Sequence, residues 1–154
     1  MSVVRSIAPT IAVEAAAYVT GNVAGGLLTL TGAAPLSERG TVLRTATLRS
    51  KVGTSIAWDL FFLNASPSAS TITERAAVAI NTADLAKIVG HITFATADLK
   101  LAAAATMGAW VRSDLGLWMK PATGVDLYAV LVARGSITPL LTTDISLTLA
   151  FDPR

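Results

Sequence analysis

The chain has 154 residues, of which 53% are hydrophobic and 14% are charged, and its formal net charge is +2 at pH 7. This length suits one domain with a buried core, and the absence of cysteine excludes a disulfide framework, thiolate zinc sites and thiol nucleophiles. Typical soluble domains carry about 25% charged residues. The low charge therefore predicts surface that contacts copies of the chain or a large partner; the alternative is a surface simply rich in alanine and threonine.

The N-terminal residues predict an extended arm over residues 1–13, followed by a single domain over residues 14–154. Pro9 cannot donate a ladder hydrogen bond, so this stretch suits an arm or an edge strand. We expect the apolar side chains of the arm to contact a partner or another copy of the chain. They are Val3, Val4, Ile7, Ile11 and Val13.

No signal peptide and no membrane span are expected. Glu14 stands where a signal peptide needs an apolar centre. Residues 15–37 carry no charge, but glycines and Pro35 interrupt the sustained run of about 20 apolar residues that a spanning helix needs. Gly21, Gly25 and Gly26 instead favour a tight turn.

Residues 41–51 predict a strand, because they are rich in β-branched residues. Alternation puts Val42, Ala46 and Leu48 on one face and Leu43 on the opposite face. The strand also holds most of the basic concentration in the chain, which comprises Arg39, Arg44, Arg49 and Lys51.

Arg44 and Arg49 are candidate interface residues. Exposed ion pairs contribute only about 0–1 kcal/mol each, so we expect them to tune register and association rate while the arm dominates attachment. Nucleic-acid binders cluster more positive charge and often add aromatic stacking side chains. No nucleic-acid partner is expected.

A turn is predicted at residues 52–55, followed by a strand that is apolar on both faces. Trp58, Leu60 and Phe62 share one face, whereas Phe61 and Leu63 share the other. A strand of this kind is central in its sheet or packs against a partner.

Residues 71–89 predict a short helical insertion, with Thr82 as N-cap and Gly90 as the stop. Further strands are predicted at residues 91–96, 103–111, 116–120, 125–134 and 144–151. The last has the cleanest alternation, with Ile145, Leu147, Leu149 and Phe151 on one face. These elements predict an all-β, mainly antiparallel single-domain β-sandwich with a jelly-roll-like topology.

The sequence offers few candidate catalytic residues. His91, the only histidine, opens an apolar strand with no carboxylate beside it in the sequence, which favours a structural role. Asp59 is the carboxylate best placed for a site, but a strand-edge role is favoured there too. One histidine and no cysteine cannot supply three histidine or cysteine ligands to zinc. We expect no enzyme activity, no metal and no cofactor, although a glycosidase pair from distant strands stays open.

The three tryptophans raise one alternative. Trp58, Trp110 and Trp118 could form a sugar-stacking platform, but their neighbours favour packing in a core or an interface.

The order of segments resembles a known class of virion proteins. The segments are AYVTGNVAGGLLTL, VLRTATLRSK, LFFLNASP, ITERAAVAINTADLAKIVGHITF and LYAVLVARG. In this order they resemble the small head-associated proteins of tailed bacteriophages, namely the cement or decoration proteins of the capsid. The likeness spans most of the chain, but each of its motifs is structural and unspecific.

The resemblance implies a β-rich structural protein that binds the outer surface of an icosahedral head and stabilises the shell. Its expected partners are the major capsid protein and other copies of itself, with a homotrimer preferred over a homodimer. No membrane and no small-molecule substrate are expected, and the resemblance implies no catalytic residues. The protein would be made in the host cytoplasm and reside on the capsid surface of the virion.

Two other functions are retained as alternatives. The first is a carbohydrate- or receptor-binding module of a phage tail or fibre, which a cluster of exposed tryptophans with Asp or Asn would favour. The second is a hydrolase, which a deep polar pocket containing His91 or paired carboxylates would favour.

Overall fold

The computed structural model describes residues 3–35, 39–52, 56–104, 107–139 and 141–154, with the backbone alone at residues 100–104. Residues 53–55 of the predicted turn 52–55, the first two residues of the arm and residues 105–106 of the predicted strand 103–111 lie outside the described residues. The strands are β1 Arg5–Ile7, β2 Val23–Leu30, β3 Thr41–Ser50, β4 Trp58–Leu63, β5 Ile88–Phe94, β6 Leu99–Ala104, β7 Met107–Arg112, β8 Leu117–Met119, β9 Leu127–Ala133 and β10 Ile145–Pro153. Two 3-10 helices, Thr82–Lys87 and Thr96–Asp98, precede β5 and β6.

The strands form two antiparallel sheets that pack face to face. One sheet has the order β1-β10-β3-β7-β6, with β8 also paired to β3, and the other has the order β2-β9-β4-β5. β1 pairs with β10, β2 with β9, β3 with β7 and β4 with β5, so early strands pair with late ones. This rolled-up pairing is the jelly-roll topology. The β-sandwich prediction is confirmed.

One apolar core fills the space between the sheets. The predicted inward face of β10, comprising Ile145, Leu147, Leu149 and Phe151, is buried as expected. From the opposite sheet, Trp58, Leu60 and Phe62 of β4 enter the same cluster, and β4 is central as predicted. Alternation along these strands was therefore sufficient to identify the core faces.

The predicted faces of β3 are wrong at its N-terminal end. Ala150 pairs with Thr45 but the next residue, Phe151, pairs with Leu43, so Arg44 is the extra residue of a β-bulge. A bulge shifts the alternation by one residue. Consequently Leu43, and not Val42, shares the core face with Ala46 and Leu48.

The predicted helical insertion at residues 71–89 is also wrong in most of its length. Only Thr82–Lys87 is helical, as a 3-10 helix, and its N-cap is Asn81, whose side chain accepts a hydrogen bond from the Ala83 N–H. Gly90 does not end a helix but lies within β5. Residues 71–80 are irregular because their backbone bonds to β2 and its approach, as when Val23 N–H donates to the Ala76 carbonyl.

Two further boundaries differ from the prediction. Residues 103–111 do not form one strand but contribute to β6 and β7, where Ala104 pairs with Met107. The arm is not separate from the domain, since β1 pairs with β10 while Ile11 and Val13 are buried in the core. Among the described residues, no helix is long and apolar enough to cross a membrane.

Candidate functional site

The outward side of the six-stranded sheet presents small and hydroxyl-bearing side chains. Cross-strand pairs such as Thr47 with Thr148 and with Val111 place them side by side. We call this surface the outer sheet face; its residues are Ser6, Thr45, Thr47, Arg49, Ala109, Val111, Ser146, Thr148 and Ala150. None of these side chains is buried, and Arg49 is the charged one among them.

The outward side of the four-stranded sheet differs, because the chain covers it. We call residues 71–80 the strap. Ile72 and Val78 of the strap pack against a second apolar cluster that includes Leu63 and Val130. The apolar second face of β4, which predicted a central strand or packing against a partner, thus packs against residues of the same chain.

The arm divides into an exposed tip and a buried base. Val3 and Val4 are 72% and 56% exposed, and they lead into β1, the terminal strand of its sheet in the described part of the chain. Ile7 is partly buried against the core. Ile11 and Val13 belong to the core, so only the tip is free for the contact predicted from the sequence.

The two predicted arginines lie in opposite halves of β3. Arg44 forms an ion pair with Asp152 at 2.8 Å, near the end of β10 that pairs with Arg5 of β1. Arg49 donates a hydrogen bond to the Thr148 hydroxyl at 3.3 Å. The structure therefore brings Arg44 close to the arm and places Arg49 on the outer sheet face.

Asp59 and His91, which are distant in sequence, meet on neighbouring strands. Asp59 pairs with Thr93, and its Oδ1 lies 3.3 Å from His91 Nε2 and accepts a 2.7 Å hydrogen bond from the Thr93 hydroxyl. Arg134 Nε donates to the other oxygen. The cross-strand register that joins these residues cannot be read from spacing in the sequence.

The chemistry of this cluster follows from the bonding of Asp59. Burial raises the pKa of Asp59, but the hydrogen bonds from Thr93 and Arg134 and the charge of Arg134 outweigh it and hold the pKa below the ordinary value. His91 stacks on Phe61, with the ring centroids 4.7 Å apart. A nucleophilic triad needs the histidine between the hydroxyl and the carboxylate; here His91 Nε2 and Thr93 both bond the same oxygen of Asp59. The cluster fixes three strands together.

The three tryptophans separate into two classes. Trp58 and Trp110 are buried in the core, as favoured by the sequence, whereas Trp118 of β8 is 57% exposed. It lines an open cavity together with Asn64. Nothing in the spacing of the tryptophans distinguished Trp118 from the other two. No group of three or more potential metal ligands occurs among the described residues.

Comparisons with known proteins give distant likenesses. No protein-family model matches the sequence, and no curated protein matches it. One similar solved structure is the VP2 subviral particle of infectious bursal disease virus, at 12% identity and a TM-score of 0.38, covering 99% of this chain and 33% of that chain. Another is a family two carbohydrate esterase from Cellvibrio japonicus, at 13% identity and a TM-score of 0.26, covering 100% of this chain and 35% of that chain.

This chain thus spans about a third of the length of both structures. At these TM-scores neither likeness carries an argument about function.

Proposed function

We propose that this protein is a structural protein of a virion, a decoration or cement protein that attaches to the outer surface of an icosahedral phage head. The observation that carries the proposal is the outer sheet face. The strap packs against one sheet, whereas none of the residues of the outer sheet face on the opposite sheet is buried, and Arg49 is the charged one among them.

Physical chemistry supports a large protein partner for this face. Interface cores are depleted of charge, because a buried charge without a partner costs several kcal/mol. The short threonine, serine and alanine side chains of this face have little conformational entropy to lose on binding. The exposed tip of the arm adds apolar area, and full burial of each valine contributes about 1.5–3 kcal/mol before ordering costs.

The partners follow from the same surfaces. The outer sheet face is suited to the major capsid protein, and the arm is suited to a neighbouring copy or to the shell. We infer a homo-oligomer, with a trimer preferred over a dimer, on the strength of the family resemblance and the exposed arm. The two apolar faces of β4 do not support this inference, because the strap packs against the second face.

We also infer that the role is assembly and not catalysis. The one histidine is engaged by Asp59 and stacked on Phe61. Both Asp59 oxygens accept hydrogen bonds from Thr93 and Arg134.

Cosedimentation with purified phage heads that lack the protein tests this proposal. Thr47→Lys places a charge at the centre of the outer sheet face, and we expect it to reduce binding at least about tenfold. Thr73→Lys makes the same change at an exposed position of the strap and serves as the matched control. Equal binding by the wild type and Thr47→Lys would refute attachment through this face, and no binding by the wild type would refute the function.

A second candidate is a carbohydrate- or receptor-binding module. The observation that favours it is the exposed Trp118 beside Asn64, and jelly rolls occur in both capsid and lectin domains. Binding of the wild type to any member of a glycan array tests this candidate.

A further inference from the structure

An open cavity of about 490 Å³ lies where β8 joins the ends of the two sheets. Its size falls in the range of about 300–1,000 Å³ typical of small-molecule sites. None of its lining residues belongs to the outer sheet face or to the arm. Its lining residues are Asn64, Val89, Trp118, Met119, Lys120, Pro121 and Ala122.

The exposed indole in this cavity is held in place. β8 pairs with β3, where Trp118 is opposite Val42. A Cβ atom on Gly40 would lie 2.2 Å from Nε1 and 2.5 Å from Cε2 of Trp118, so the indole edge rests directly on the Gly40 backbone. A large aromatic ring that is both exposed and positioned loses little freedom when a ligand stacks on it.

The polar side chains of the cavity belong to Asn64 and Lys120, and the backbone of Asn64 is fixed. The Asn64 backbone is fixed by its N–H, which donates to the Lys87 carbonyl at 2.9 Å, and by its carbonyl, which accepts from the Ala122 N–H at 2.8 Å. Within the described ranges, neither the Asn64 amide nor the Lys120 ammonium has a side-chain hydrogen-bond or ion-pair partner. Val89 and Pro121 form an apolar part of the cavity wall.

We propose that this cavity binds a saccharide ring that carries a carboxylate. The indole face accepts the C–H side of a pyranose, as amphipathic aromatic rings do. The Asn64 amide both donates and accepts, which matches a pair of sugar hydroxyls, and Lys120 supplies one positive charge for the carboxylate. A nucleotide would need more cationic groups for its phosphates than this one lysine.

This inference rests on the second candidate function and is independent of capsid attachment. A glycan array is first probed with the wild type, Trp118→Ala and Gly40→Ala. We expect acidic glycans to bind the wild type and to be lost by both variants, since Gly40→Ala displaces the indole without removing it. Leu141→Ala, which truncates another exposed apolar side chain, should bind as the wild type does.

Tryptophan fluorescence then measures affinity with methyl β-D-glucuronide and its neutral partner methyl β-D-glucoside. Trp58 and Trp110 are buried, so quenching by acrylamide reports on Trp118. Glucuronide should protect Trp118 saturably, and Lys120→Gln should weaken glucuronide about tenfold while leaving glucoside unchanged. Protection by adenosine monophosphate and by neither glycoside would overturn the saccharide assignment.

The outcomes separate the site from the function. Acidic glycans that bind Trp118→Ala as well as the wild type would overturn this site and leave carbohydrate binding standing. No glycan bound by the folded wild type would overturn both. Circular dichroism of each variant confirms folding, and the Thr47→Lys cosedimentation decides capsid attachment separately.

Discussion

Glu74 connects the strap to the glycine-rich start of β2. Its carboxylate accepts hydrogen bonds from the N–H groups of Gly25 and Gly26, the latter at 3.0 Å, and from the Tyr18 hydroxyl. Both glycines have positive φ, at +83° and +66°, and lie where the pairing of β2 with β9 shifts register. Of the three glycines that predicted a tight turn, Gly21 lies in a turn, whereas Gly25 and Gly26 form a bulge that the distant Glu74 carboxylate contacts.

The contribution of Glu74 to stability depends on pH in a direction that its pKa determines. Burial raises the pKa of Glu74 above its ordinary value of 4.5, although the N–H groups of Gly25, Glu14 and Gly26 oppose the change. The folded state thus binds this proton more tightly than the unfolded chain does. The stability contributed by Glu74 is present below pH 4.5 and falls as the pH rises through the folded-state pKa.

Glu74→Gln should therefore gain stability relative to the wild type between pH 4 and pH 7. The amide oxygen still accepts from a glycine N–H, but no charge forms. Glu74→Ala, the control, leaves the partly buried N–H groups of Gly25 and Gly26 without their acceptor and should cost about 1 kcal/mol across this range. Urea unfolding at several pH values measures the free energy of unfolding of the wild type and both variants. A wild type whose stability rises relative to that of Glu74→Gln as the pH rises would contradict the assignment.

The contribution of Asp84 to stability depends on pH in the opposite direction. Its side chain, at the start of the 3-10 helix, is buried and binds Lys87 Nζ at 2.7 Å, the Ser70 hydroxyl at 2.7 Å and the N–H groups of Ser68 and Ala69. The hydrogen bond from Lys87 and that from Ser70 outweigh burial and lower the pKa of Asp84 well below 3.8. Its contribution is present above pH 3.8 and is lost as pH falls towards the folded-state pKa.

Asp84→Asn should unfold at a lower temperature than the wild type at pH 7, and the difference should shrink below about pH 3.8. The amide replaces one acceptor oxygen with a donor that faces other donors. Thermal unfolding followed by circular dichroism measures the difference. The matched control is Asp114→Asn at an exposed position, and a difference that grows in acid would contradict the argument.

At the scale of the element, alternation identified most strands but not their interruptions. The period of two in β4 and β10 follows from burial of one face, which leaves a trace in the sequence. The bulge at Arg44 leaves none, because it depends on how β3 and β10 pair. The strap was included in the predicted helical insertion from its own residues, whereas its backbone hydrogen-bond partners lie in β2 and before it.

The arm tip gives a prediction at this scale. Deleting residues 2–4 removes Val3 and Val4 but keeps β1 and the buried Ile11, which a deletion of residues 2–12 would destroy. We expect the shorter deletion to fold normally and to lose head binding or oligomerisation, since two exposed valines contribute up to about 1.5–3 kcal/mol each on burial.

The deletion of residues 2–4 is compared with a variant in which neutral residues replace Arg39, Arg44, Arg49 and Lys51. Exposed ion pairs are weak and screened by salt, so this variant should still bind at moderate salt, as cosedimentation and light scattering would show. Loss of binding in the neutral variant and retention in the deletion would mean that attachment is electrostatic.

For the whole molecule, composition and alternation predicted the β-sandwich, whereas the sites depend on which strands become neighbours. The jelly-roll pairing joins Asp59 to His91 and sets Asn64 beside Trp118, across long stretches of sequence. The low charge indicated an exposed interface, and the structure divides the two sheets into one covered by the strap and one left open.

The open sheet and the exposed arm tip predict the assembly state. Two copies that meet through their outer sheet faces would form a closed dimer, whereas an arm that reaches a neighbour forms a head-to-tail contact that closes as a ring. We expect the head-to-tail contact, because the sheet face is then free for the shell, and the family resemblance implies that it closes after three copies, giving a particle of three times the 15.9 kDa chain mass. Light scattering at micromolar concentration should give this trimer for the wild type and Thr47→Lys, and a monomer after deletion of residues 2–4. A dimer that Thr47→Lys dissociates would place the contact on the sheet face, and a monomeric wild type would refute self-association.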